Sequence, residues 1–163
     1  MKKFIAALLI LALMLPLAAL AASPTYSSTK AFLNLLDSNN VKYTYKGLDK
    51  DNDDHVTISY DGDSYTLTLH WYFTEDNKHV SVRGWDLISY KAADFQKVVK
   101  AVNEINSAYK YVTFEVDTSD NTVTVSYDFI TPDGGSADVC LEVLVRIVMI
   151  VDDAFPTLEP YNK

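Results

Sequence analysis

The stretch Ala92–Tyr109, AADFQKVVKAVNEINSAY, decides the fold. Phe95, Val98, Val99, Val102, Ile105 and Tyr109 recur at helical spacing, while Lys97, Lys100 and Glu104 lie away from them. An amphipathic helix of this kind must lay its apolar face on something, and the segments on either side read as the strands that cover it. Ser89 is placed to cap the helix.

Ahead of it, Val41, Tyr43 and Tyr45 alternate with Lys42, Thr44 and Lys46, and Val56, Ile58 and Tyr60 repeat the period of two, so each segment is a half-buried strand. After the Asp61-Gly62 hairpin signal, Tyr65, Leu67, Leu69, Trp71 and Phe73 mark the longest strand, with Thr66, Thr68, His70 and Tyr72 on its other face. Val80 and Val82 begin a fourth strand, where Gly84 permits a bulge that reverses the face of Trp85. Behind the helix, Val112, Phe114 and Val116 turn through Ser119-Asp120-Asn121 into Val123, Val125, Tyr127 and Phe129, a second hairpin ended by Pro132, Gly134 and Gly135.

Two more helices complete the chain. Ala31, Phe32, Leu35 and Leu36 share one face of a short helix, with Ser28 or Thr29 as N-cap and Asn39-Asn40 as its stop. Ala137–Val151 is rich in Val and Ile, but Asp138, Glu142, Arg146 and Asp153 fall on one helical stripe, so it reads as a nearly buried helix, with Pro156 and Pro160 closing the domain. The expected class is α+β: an antiparallel sheet of about six strands with helices on one face, in the order α-ββββ-α-ββ-α.

Lys2 and Lys3 precede an apolar run from Phe4 to Leu15, Pro16 breaks it, and Ala19-Leu20-Ala21 places small residues where a signal peptidase reads. Residues 1–21 are therefore expected to be a cleaved signal peptide, followed by a polar leader at 22–30 and one domain at 31–158, in the periplasm or secreted. The apolar run is shorter than the roughly 20 residues that span a bilayer, so no stable membrane anchor is expected after cleavage. Loss of Lys2 and Lys3 takes the formal charge from -8 to -10, which repels polyphosphate and makes nucleic acid an improbable partner. Cys140 is the single cysteine, so no intramolecular disulfide forms and stability must come from the core.

The element order, together with Phe32-Leu33, the run Val80-Ser81-Val82-Arg83-Gly84-Trp85 and the run Val102-Asn103-Glu104-Ile105-Asn106, resembles the YbjN family of small bacterial domains. That resemblance implies a fold similar to type III secretion chaperones and a role in sensory-transduction regulation or protein binding rather than catalysis. The export signal departs from the family's usual pattern and argues against a cytoplasmic signalling role.

The residues themselves carry little catalytic chemistry. No nucleophile elbow or Gly-rich phosphate loop is present, and no enzyme activity or cofactor is expected. Asp49–Asp54 carries acidic side chains at alternate positions, as a calcium loop does, but Asp54 stands where the loop needs Gly and Tyr60 where it needs Glu, so a solvated turn is the expectation. His55, His70 and His79 show no ligand spacing and read as scattered surface histidines, so no metal site is expected. Cys140 reads as a small buried hydrophobe. Asn103 and Asn106 are expected to be structural, with Asn106 on the apolar helix face tying the helix to nearby backbone. Strand parity places Tyr72, Trp85 and Tyr111 away from the helices beside Arg83, a combination enriched at protein-binding hot spots. The leading expectation is thus a non-enzymatic module with a protein partner, homodimerisation included. The alternative is a periplasmic small-ligand binding protein with an aromatic-lined cleft between sheet and helices.

Overall fold

The computed structural model describes residues 23–132 and 137–163. The expected signal peptide at 1–21 and the glycines Gly134 and Gly135 lie outside the described residues. Helix α1 (Ser27–Ser38) leads into strands β1 (Thr44–Leu48), β2 (Asp54–Asp61), β3 (Thr66–Phe73) and β4 (His79–Ser89). A 3₁₀ turn at Ala92–Asp94 opens helix α2 (Phe95–Ala108), and β5 (Thr113–Asp117), β6 (Thr122–Ile130) and helix α3 (Ala137–Leu158) follow. The strands form one antiparallel sheet of six in the order β1-β2-β3-β4-β6-β5.

The period of two in the sequence becomes the two faces of this sheet. Val56, Ile58, Leu67, Leu69, Trp71, Phe73, Val80, Val82, Val123 and Val125 are buried on the helix side. Phe32 of α1 packs on Trp71 and Phe73 with ring centres 4.8 and 5.6 Å away, and Val98, Val102 and Ile105 of α2 and Ile147 and Val151 of α3 fill the rest of the layer. Gly84 belongs to this face as well. A methyl group there would lie 2.7 Å from Leu67 Cδ1, so the glycine makes room for Leu67 across the strand pair.

Several local expectations are corrected. The longest strand is β4, with 11 residues, rather than β3, with 8. Trp85 stays on the same face as Ser81 and Arg83. The register shift falls between Gly84 and Ile88, where Asp86 takes φ 57, so it is Leu87 and Ile88 beyond Trp85 that both turn inward. Ser89 ends β4 and does not cap α2, whose N-terminal flank Asp94 makes no side-chain cap either and instead pairs with Lys97 at 2.7 Å. Pro156 lies inside the last turn of α3 rather than after it. That helix is also less buried than its composition suggests, because Val145 and Met149 face solvent beside the Glu142–Arg146 ion pair.

Helix α1 starts at Ser27, four residues ahead of Ala31, and is not capped by Ser28 or Thr29, which are buried. Its start is held by Asp54 instead. The Asp54 carboxylate is buried at the first residue of β2 and accepts hydrogen bonds from the backbone N–H of Thr25 (2.9 Å) and Tyr26 (2.8 Å) and from the Tyr45 hydroxyl of β1 (2.6 Å). Burial pushes this carboxyl up, but the bonds from Tyr26, Tyr45 and Thr25 outweigh it and hold it below the ordinary 3.8. A carboxyl lowered by folding stabilises the fold in full above its unfolded value, and that contribution fades as pH falls through the folded value. Asp54→Asn is therefore expected to cost about 2 kcal/mol in urea unfolding at neutral pH, with the gap to the native chain closing in acid. An equal gap at both ends of the pH range would show that the charge is not what holds the helix start.

Candidate functional site

The three helices cover one face of the sheet, and the other face carries the side chains of opposite parity. Pairing sets Tyr72 between His55 of β2 and Ser81 of β4, and sets His70 between Thr57 and Arg83. The result is a contiguous aromatic cluster. His55 stacks on Tyr72 with ring centres 4.7 Å apart and planes at 14°. His70 meets Trp85 edge-on at 4.5 Å, and Tyr72 meets Trp85 edge-on at 6.2 Å. His55 Nε2 and His70 Nδ1 are 3.0 Å apart, a hydrogen bond between two imidazoles. Trp85 remains 45% exposed at the open side of this cluster.

Arg83, Asp128 and Glu115 on this face are each engaged by a neighbour. Arg83 donates two bonds to Asp128 of β6, at 2.7 and 2.9 Å, in the bidentate geometry that suits guanidinium and carboxylate, and the Arg83 bonds hold the Asp128 carboxyl low. Ser126 donates to Glu115 across β5 and β6. Between Arg83, Trp85, Glu115, Asp117 and Thr124 lies an open hollow of about 300 Å³. Burial raises the Tyr72 phenol and lowers both imidazoles, so at neutral pH the cluster is uncharged.

The structure thus brings together Tyr72, Trp85 and Arg83. Tyr111 does not join them. It sits in the loop between α2 and β5 with φ 77, which breaks the parity running back from Phe114, and it is 65% exposed on the helix side, with the Arg146 guanidinium 5.3 Å from its ring centre and Tyr127 6.4 Å away. His55 and His70 are the members that sequence reasoning missed. Their signal lay in the hairpin register, because counting outward from Asp61 opposite Thr66 sets Thr57 opposite His70 and His55 one pleat further on the same face. His79 stands apart, bonded to Asp76 in its own turn.

The remaining candidates are occupied elsewhere. Asp49 Oδ1 accepts from the N–H groups of Asp51 and Asp53, and Asp54 points inward to α1, so those two carboxylates of the acidic turn are engaged with their own chain. Among the described residues no group of three or more His, Cys, Asp or Glu is arranged to hold a metal ion, and no helix is long and apolar enough to cross a membrane. Cys140 is buried, and burial pushes its thiol up to about 12. Asn103 is exposed and takes part only through its backbone carbonyl, which accepts from Ser107. Asn106 acts as a fragment of strand. Its amide accepts from the Phe114 N–H at 2.9 Å and donates to the Phe114 carbonyl at 2.8 Å, closing that stretch of the edge strand β5. Asn106→Ala leaves both backbone groups open, with an expected loss of about 1–2 kcal/mol and faster hydrogen exchange at Phe114; an unchanged exchange rate would mean that the amide does not guard the edge.

Comparison with known proteins follows the fold. The sequence profile of the YbjN family, described as "Putative bacterial sensory transduction regulator", matches residues 29–160. Among solved structures, "Crystal structure of YbjN, a putative transcription regulator from E. coli" superposes with a TM-score of 0.56 at 10% identity, covering 82% of this chain and 96% of that one. At that identity the likeness is one of fold. No curated protein sequence matches the chain.

Proposed function

The chain belongs to the YbjN family, and from that membership and the open aromatic face we propose that it is an exported, non-enzymatic regulatory module that binds a protein partner through the helix-free side of its sheet. The observation that carries the reading is the ring cluster His55-His70-Tyr72-Trp85, seated on strands that are hydrogen-bonded on both sides. Aromatic rings beside an arginine supply contact area at little entropic cost, and a rigid central strand pair presents them already ordered. The Arg83–Asp128 pair and the Ser126–Glu115 bond engage the charged groups beside the patch, which therefore presents mainly rings to a partner.

The small-ligand reading finds less support. The space between sheet and helices is filled by Phe32, Trp71, Phe73 and Ile147. The aromatic notch at the end of that layer, between Tyr60, Tyr65 and Phe155, holds about 250 Å³. Both of its phenols already donate to Asp152, at 2.7 and 2.6 Å.

The test is cross-linked capture from the exported fraction of the protein's own cells, run in parallel with Tyr72→Ala, Arg83→Ala and Trp85→Ala. A partner retained by the native chain is expected to weaken by about tenfold or more in at least two variants, with melting points nearly unchanged because the three side chains lie outside the core. A partner retained equally by all three variants places the binding face elsewhere. Export has its own measurement: N-terminal sequencing of the mature protein should begin at Ala22, and a chain that retains Met1 or Lys2 would refute the signal reading.

A further inference from the structure

The contact between His55 and His70 has a chemistry that the binding reading does not use. Their ring centres are 5.1 Å apart, close to the 3.0 Å nitrogen separation and the two ring radii taken together, so the two nitrogens face each other nearly in line. One of them must donate and the other must accept with its lone pair. The contact therefore survives with no charge on the pair, or with one proton added to the donor ring, which strengthens it. It does not survive a second proton, because two N–H groups then meet head on between like charges.

The surroundings set the direction. Lys46 of β1 adds positive charge near both rings, Asp49 in the β1–β2 turn acts oppositely on His55, and Arg83, opposite His70 in β4, is held by Asp128. Tyr72 lies flat on His55 and Trp85 meets His70 edge-on, both as uncharged rings. Burial is the largest influence on each imidazole, and it lowers both. A histidine lowered by folding takes up its proton more readily once released, so acid favours the broken pair and the effect develops as pH falls below the ordinary 6.5.

We propose that the His55–His70 pair is a proton-operated latch on the helix-free face: closed, it holds the Tyr72 and Trp85 rings in one surface; doubly protonated, it opens, disperses them and releases the bound partner. The latch stands on its own geometry, and only the release step rests on the reading of this face as the binding face.

The test is a proton NMR titration of the mature chain from about pH 8 to about pH 5, following the histidine ring protons and both indole N–H signals. The expected result is coupled titration of His55 and His70 in two steps, the second below 6.5, with the exposed Trp85 indole moving in that second step and the buried Trp71 indole still. In His55→Gln, His70 should titrate in one step and the Trp85 shift should vanish. Independent one-step titration of both rings in the native chain, or a Trp85 signal indifferent to the second step, overturns the latch. Movement of Trp71 together with Trp85 also overturns it, since the acid effect is then global unfolding. With a captured partner, affinity should fall by up to about tenfold per pH unit for each proton taken up on release, and the fall should disappear in His55→Gln. A pH-independent affinity beside a normal NMR latch overturns the release step and leaves the latch in place, while the reading of the face stands or falls separately with Tyr72→Ala, Arg83→Ala and Trp85→Ala.

Discussion

A six-stranded sheet covered by helices on one side only imposes a single constraint on every strand: alternate residues must be apolar, and those between them must live with water. Everything else in this protein follows from how that constraint is met. On the covered side, Phe32, Trp71 and Phe73 make a ring-packed centre on which α1 rests, and Gly84 gives up its side chain so that Leu67 can close over β4. On the open side the same strands could have carried Thr, Ser and Lys throughout, as β1 does with Thr44 and Lys46. Where β2, β3 and β4 lie side by side, His55, His70, Tyr72 and Trp85 stand together there instead, among Thr57, Ser59, Thr68 and Ser81.

Polar groups finish what burial begins. Asp54 is a charge placed inside, and it is tolerated because three donors from two elements converge on it. Through those bonds the first residue of β2 fixes where α1 starts and how β1 lies. The Asn106 amide does the corresponding work at the far edge, where it stands in for a seventh strand at Phe114 and ties α2 to β5. At the third corner Tyr60 and Tyr65 grip Asp152 of α3, and Tyr65 stacks on Phe155 at 4.4 Å. All three ties join segments that the backbone ladder leaves separate.

These ties mark where the sequence was legible and where it was not. The strands and helices declared themselves, because alternation in Leu67–Phe73 and the helical recurrence in Phe95–Ile105 are local patterns. Asn106 was legible too, since an amide amid apolar positions on a helix has to find partners. Asp54 was read as one more acid in a turn, because nothing local says that residue 54 bonds residues 25 and 26. The face of Tyr111 was misread for a related reason: parity is a property of extended backbone, and a single positive φ cancels it. The histidines fell between these cases, for their meeting is written in the hairpin register, which a turn of unknown length conceals.

The electrostatic character of the open face bears on what it can bind. The chain carries a formal charge of -8, yet its ring cluster is neutral and Arg83 beside it is already satisfied by Asp128. Long-range attraction toward such a charge favours a basic partner, and on the proposed face the contact itself would be made by rings whose desolvation costs little. Separating the two influences also separates their responses to solution conditions. Salt would screen such an encounter and leave the stacked rings largely untouched, whereas protons would act directly on the His55–His70 contact, which needs one ring to keep its lone pair.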